Sequence, residues 1–274
     1  MSPSLAERFL ALHRPGAPLL MPNPWDVGSA RALASLGFAA LATTSSGFAA
    51  TLGRLDGSVT RDEAVAHAGQ IAAAVSPVPL SADLENGFAD APADVAATVA
   101  AAVRAGLAGC SIEDSTKDPG NPIYDPGLAA DRIAAAAQAA GGQLILTGRA
   151  ENFLHGRPDL ADTIARLNRY ADAGADVLFA SGLRRADDIK AVVESVGRPV
   201  NVLLPAAGPS VSELADLGVS RISVGGTFAA VAFGALAQAA RELQGPAPYG
   251  FWDGAAAGRG LIRAAFTGPG TVTP

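Results

Sequence analysis

Asp83 and Glu85 stand two residues apart in the stretch SADLENGF (residues 81–88), at the end of the apolar run PVPL. On a strand, residues i and i+2 face the same side. The spacing therefore predicts two carboxylates side by side, which repel unless something positive lies between them. Other apolar runs end in residues of the same kind. Asn23, Trp25 and Asp26 stand at the end of residues 17–23; Thr43, Thr44, Ser45, Ser46 and Gly47 stand at the end of 38–45, with Asp56 in the next loop. Glu113 and Asp114 end the run 108–114, Arg149 and Glu151 stand at the end of 143–150, and Ser181 and Asn201 belong to the runs 176–182 and 199–205.

So many carboxylates converging at one place call for a hard cation. Mg²⁺ takes oxygen ligands, keeps several waters, and needs one or two carboxylates plus the substrate. Asp83, Glu85 and Glu113 supply that set, with Mn²⁺ the alternative ion; no histidine cluster points to zinc. Arg149 is the lone cation among these run-end residues, and its fork matches a substrate carboxylate. The hydroxyls and backbone N–H groups of Ser45, Ser46 and Gly47 suit the same anion. Each residue also has a plain structural role open to it. Asp56, Asp114 and Glu151 suit helix capping, Arg149 suits an ion pair with Glu151 or Glu113, and the Ser/Thr run suits a turn. The coincidence of Asp83, Glu85, Glu113 and Arg149 on neighbouring runs favours a site.

The elements that would position them alternate. Eight β-type runs cover 17–23, 38–45, 78–84, 108–114, 143–150, 176–182, 199–205 and 220–226, with helix-type stretches between them. Thr60 and Glu63 form a capping box opening 60–75, and Asp94 reads as the N-cap of a helix closed by Gly106. Several runs are apolar throughout, as parallel strands covered on both faces are. Eight such units predict a (β/α)8 barrel over residues 1–245, whose chemistry sits at the C-terminal ends of its strands. Residues 246–274 follow as an extension: GPAPYGFWDG, then a helix over 255–266 with no sheet face left to cover.

The chain has 274 residues, a net charge of −6 and a single cysteine, Cys110. The acidic balance excludes nucleic acid and anionic membranes as expected partners. One cysteine excludes an internal disulfide and a thiolate metal cage. No signal peptide or membrane span is read, and a cytoplasmic protein is expected. No GxGxxG or GxxxxGK[ST] motif is present.

These residues resemble the isocitrate lyase/phosphoenolpyruvate mutase superfamily from about residue 15 to 245. The family's strand-two Ser-Gly is similar to Ser46-Gly47, and its following aspartate to Asp56. Its Asp-x-Asp metal motif is similar to Asp83-Leu84-Glu85, with Glu in place of the second Asp. Its Glu-Asp is similar to Glu113-Asp114, its Ala-Arg-Thr-Asp/Glu-Ala to residues 148–152, and its strand-seven asparagine to Asn201. The resemblance implies Mg²⁺ and a small 2-oxo or 2-hydroxy carboxylate, cleaved next to a pyruvate-like enolate. It implies metal ligation by Asp83, Glu85 and Glu113, and catalytic roles for Arg149, Asp56 and Glu113. Substrate binding falls to Trp25, Thr44, Ser45, Ser46, Gly47, Arg149 and Asn201. It also implies a homotetramer, a dimer of dimers exchanging the C-terminal helix.

The lyase members carry a Lys-Lys/Arg-Cys-Gly-His motif after strand four; here that loop reads STKDPGNPIYDPG, and Cys110 lies inside the strand as a core residue. Ser181 stands where phosphonate-handling members place a histidine. The expected chemistry is therefore Mg²⁺-dependent C–C cleavage of the oxaloacetate-decarboxylase or isocitrate-lyase kind. Phosphoenolpyruvate mutase or phosphonopyruvate hydrolase-type P–C chemistry and a non-catalytic 2-oxo-acid binding protein are the alternatives. Retro-aldol cleavage needs a base, for which Tyr124 and His155 are the candidates.

Overall fold

The computed structural model describes residues 3–246 and 248–267. Eight strands form one all-parallel sheet: β1 (Leu19–Met21), β2 (Leu41–Ala42), β3 (Leu80–Asp83), β4 (Gly109–Glu113), β5 (Ile145–Ala150), β6 (Val177–Ala180), β7 (Val200–Leu203) and β8 (Arg221–Ser223). Their order runs β1-β8-β7-β6-β5-β4-β3-β2. The circle is joined between its ends by Ala42 N–H donating to the Pro22 carbonyl at 3.1 Å. All eight expected runs hold a strand, and the (β/α)8 barrel stands.

Helices α2 (Val27–Ser35), α4 (Arg61–Val75), α5 (Pro92–Arg104), α6 (Pro126–Ala140), α7 (Leu160–Asp172), α8 (Ala186–Ser195) and α9 (Val211–Asp216) lie between the strands. They bury an alanine-, leucine- and valine-rich layer against the outside of the sheet. The Thr60–Glu63 capping box is present as expected. The expected Asp94 cap is not: α5 starts two residues earlier, at Pro92, with Ala91 as an N-cap that makes no side-chain bond. Proline at a first helical position presets the backbone there, so the side-chain cap is dispensable.

Two helices arise outside the expected pattern. α1 (Leu5–Leu10), capped by a Ser4–Glu7 box, plugs the N-terminal end of the barrel. Phe9 is fully buried there with Leu19, Ile145 and Val177. Gly109 makes room for it, since a Cβ at that position would lie 2.8 Å from the Phe9 ring. α3 (Ser45–Thr51) begins where the strand-like run 38–45 was expected to end. Thr44 caps it by accepting from Gly47 N–H, which pulls the Ser-Ser-Gly segment out of extended geometry.

α10 (Thr227–Gln244) and α11 (Phe251–Phe266) close the described chain. Of α10 only Ala229 is buried, and of α11 no residue is. α11 lies against α2 of its own barrel, with the Phe266 ring beside Gly28. The expected helix 255–266 thus starts earlier, at Phe251, and has an internal neighbour that the sequence did not suggest. Ala247 and residues 268–274 of the extension lie outside the described residues. Among the described residues, no helix is long and apolar enough to cross a membrane.

Candidate active site

Alternation along the strands sends one set of side chains into the barrel. Ser81 and Asp83 of β3, Arg149 of β5, Phe179 of β6, Asn201 of β7, and Arg221 and Ser223 of β8 line a cavity of about 160 Å³ at the C-terminal ends of the strands. Thr44, Ser45, Ser46 and Asp56 complete its rim.

Arg149 is the hub. Its Nη1 lies 3.2 Å from Asp83, one Nη2 contact reaches Glu113 at 3.2 Å, and Nε donates to Glu151 at 2.9 Å. Its guanidinium stacks over Phe179, 4.9 Å from the ring centroid. Burial disfavours the cation, but the charges of Glu151, Glu113 and Asp83 outweigh it and push the Arg149 pKa up. Glu113 is driven the other way. Burial raises its pKa most, Arg149 opposes, and Glu151, Asp83 and Glu85 add repulsion. One guanidinium is thus shared among three carboxylates, more negative charge than it neutralises.

The expectation that Asp83 and Glu85 sit side by side on a strand is corrected. β3 ends at Asp83, and Glu85 takes a left-handed conformation (φ 48°). The reversal breaks the two-residue alternation and turns Glu85 towards the β4–α6 loop, where Lys117 forms an ion pair with it. Lys117 also covers the Phe88 ring at 5.3 Å. Glu85, Phe88 and Lys117 are the three non-glycine residues with positive φ among those described, and Lys117 meets the other two. Backbone strain of this kind persists where its surroundings over-determine it. The sequence reading passed over Lys117, a lone lysine in a polar loop; its spacing from Glu113 carried no signal.

Asp83, Glu85 and Glu113 present oxygen atoms only, and Glu85 Oε1 is buried without a hydrogen-bond partner. Among the described residues, no three His, Cys, Asp or Glu side chains converge into a ready-made cage. Of the three, Asp83 lines the cavity while Glu85 and Glu113 do not; an oxygen donor with room beside it for water and substrate fits Mg²⁺, which needs only one or two carboxylates.

The remaining expected site residues divide. Thr44, Ser45, Ser46, Asp56, Arg149 and Asn201 line the cavity; Trp25 and Gly47 do not. A Cβ on Gly47 would come within 2.9 Å of the Trp25 Cβ, so the pair lets α3 pack closely on the segment after β1. Ser45 N–H points at Asp83 (3.3 Å) and Gly47 N–H at Thr44, which engages two of the three backbone donors expected for an anion. Asp56 caps no helix, because Thr60 caps α4; it is exposed at the rim. Asp114 and Glu151 cap none either. Asp114 points outward to Tyr170 (2.6 Å) and Arg166 (3.1 Å), and Glu151 accepts from Ser181 at 2.6 Å. Tyr124 bonds Asp90 and stacks under Arg132, and His155 is exposed; neither candidate base lines the cavity. Cys110 is fully buried on the helix side of β4, and burial, with Asp176, pushes its thiol up to about 12.

Over residues 9–244 the chain matches the phosphoenolpyruvate phosphomutase family. It belongs to that family. A Burkholderia cenocepacia J2315 protein provisionally named a lyase/mutase has a crystal structure 50% identical to the chain, with a TM-score of 0.90 over 96% of each. The 2,3-dimethylmalate lyase structure, of the PEP mutase/isocitrate lyase superfamily, is 27% identical, with a TM-score of 0.84 over 97% of this chain and 96% of that one. An uncharacterized Mycobacterium tuberculosis H37Rv protein is 36% identical over 86% of this chain and 88% of its own. The protein is an enzyme of this lyase and mutase superfamily.

Proposed function

We propose that the protein is a Mg²⁺-dependent carbon–carbon lyase acting on a small 2-oxo or 2-hydroxy carboxylic acid. The observation that carries this is the excess of carboxylate around Arg149, where Asp83, Glu113 and Glu151 share one guanidinium. Asp83, Glu85 and Glu113 would hold the ion, directly or through water. Bound there, Mg²⁺ supplies the Lewis acidity a 2-oxo group needs to take up an electron pair as the neighbouring C–C bond breaks.

The chain's own residues do the rest. Thr44, Ser45, Ser46 and Asn201 surround the acid with neutral hydrogen-bonding groups, and Arg149 keeps Asp83 and Glu113 in place. Asp56 lies on the cavity rim and forms no salt bridge among the described residues, so its carboxylate is placed to move a proton to or from the acid. Phe179 and Leu203 cover the apolar side and exclude water. The named 2,3-dimethylmalate lyase points to the same class, a substituted 2-hydroxy diacid. The buried Cys110 leaves no thiol at the site, which disfavours the thiol-dependent lyase route.

The exposed apolar faces of α10 and α11 support a homotetramer built from dimers that exchange residues 246–266. No observation favours membrane or nucleic-acid partners, and a cytoplasmic enzyme suits the acidic chain and its single buried cysteine. The test is turnover of a panel of 2-oxo and 2-hydroxy acids with Mg²⁺ or with EDTA. Metal-dependent cleavage is expected. Turnover that persists in EDTA contradicts the metal, and oxalate binding without turnover of any acid identifies a binding protein instead.

A further inference from the structure

The cavity has a second guanidinium, on its floor. Arg221 of β8 is 2% exposed and lines the same cavity as Arg149. The two are opposite in company. Arg149 is over-supplied with carboxylates, whereas every partner of Arg221 among the described residues is neutral. Its Nε donates to Asn201 Oδ1 at 2.8 Å, Nη2 to Thr147 Oγ1 at 3.0 Å, and Nη1 meets His13 Nε2 at 3.1 Å.

The histidine is held neutral by the same geometry. Arginine only donates, so His13 Nε2 accepts, and the ring proton sits on Nδ1, facing the Phe9 carbonyl at 3.0 Å. Burial, then Arg221, pulls the His13 pKa down to about 3. Burial, then Arg149, lowers Arg221 to about 9, still protonated at neutral pH. An unpaired buried charge is costly, and proteins retain one where something completes it.

We propose that Arg221 is the positioning residue that makes this cavity an anion receptor: its uncompensated charge faces the anionic end of a bound acid, and its Nε–H fixes the Asn201 amide. With Oδ1 held by Arg221, Asn201 turns Nδ2 towards Ser223 (3.1 Å) and the cavity, as a donor. This rests on the small-acid reading of the site. It moves the source of attraction from Arg149, whose fork is taken, to the floor beneath.

The test neutralises Arg221 from below. Thr147 and His13 touch it but do not line the cavity. Thr147→Asp sets a carboxylate against Arg221, and Thr147→Asn, of the same shape as Asp, is its neutral control. With oxalate as probe, in the presence of Mg²⁺, calorimetry is expected to show Thr147→Asp binding at least about tenfold weaker and Thr147→Asn within about twofold of the parent. The melting temperature of Thr147→Asp is expected at or above that of Thr147→Asn, because the buried charge gains a partner. If Thr147→Asp does not fold, His13→Glu against His13→Gln reads the same effect. Equal oxalate affinity in the acidic variant and its control, whether both high or both low, overturns the role of Arg221 and leaves the metal site standing. A parent protein that takes up no oxalate overturns both.

Discussion

At the barrel mouth the protein buries charge, and in its last two helices it exposes apolar side chains. Asp83, Glu113 and Arg149 are only 13–17% exposed, whereas Val231 and Leu236 of α10 are 64% exposed and Trp252 of α11 59%. Both regions invert the usual distribution. Inside, the inversion is partly met by the chain itself, because Arg149 binds the carboxylates that crowd it. Outside, α11 meets α2 and the end of α10, and most of its apolar face stays in water. The crowded carboxylates at the mouth suit the proposed small cation and acid, and the exposed helix faces suit the proposed second copy of the chain.

The sharpest break in that comparison is at Asp83. Asp83→Ala removes the carboxylate shared by Arg149 and Ser45 N–H. Metal-dependent turnover should fall by several kcal/mol, on the order of a thousandfold or more, with circular dichroism unchanged. Parent-like activity would remove Asp83 from the metal site.

Deleting 246–274 attacks the other region. The truncated chain should run as monomers or aggregates in light scattering while the full chain runs as a tetramer. Burial of residues such as Trp252, Ile262 and Phe266 contributes roughly 1.5–3 kcal/mol each. A monomeric full-length chain, or an unchanged oligomer after truncation, rules the exchange out.

Arg149→Lys sharpens the mouth. A lysine cannot bridge Asp83, Glu113 and Glu151 at once, so kcat/KM should drop by an amount on the order of 2–5 kcal/mol. A near-normal value means the fork is dispensable.

The smallest effect lies at the barrel floor. His13 has a folded pKa of about 3 against 6.5 in the unfolded chain. Between those values the unfolded chain takes up a proton that the folded one refuses. Stability from this group is full above pH 6.5 and falls as pH drops, by about 1.4 kcal/mol per pH unit. Urea titrations of His13→Gln should show a correspondingly shallower loss between pH 6 and 5. Parallel curves would mean that His13 is protonated in the fold.

The sequence made the barrel legible because each unit repeats one signal, an apolar run followed by a helical stretch. Asp83, Glu113 and Arg149 were legible for the same reason: each ends a run. Residues whose placement depends on a turn were not. Glu85 looked like a strand residue until the backbone reversed at it, and Lys117 meets it only because of that reversal. Arg221 was hidden inside an apolar run, SRISV, where an inward-facing arginine leaves no mark. Phe9 plugs the barrel from a helix of six residues, too short for periodicity to announce.

The central claim is that an ion and an acid complete the charge at the mouth. A crystal soaked with Mn²⁺ and oxalate, read by anomalous diffraction, tests it most directly. The account predicts one anomalous peak at the Asp83 carboxylate, with Glu113 and Glu85 turned towards it directly or through water, and oxalate between the ion and the Ser45–Ser46 rim. An empty mouth with Arg149 still bridging Asp83 and Glu113, or a peak held by other residues, would contradict it.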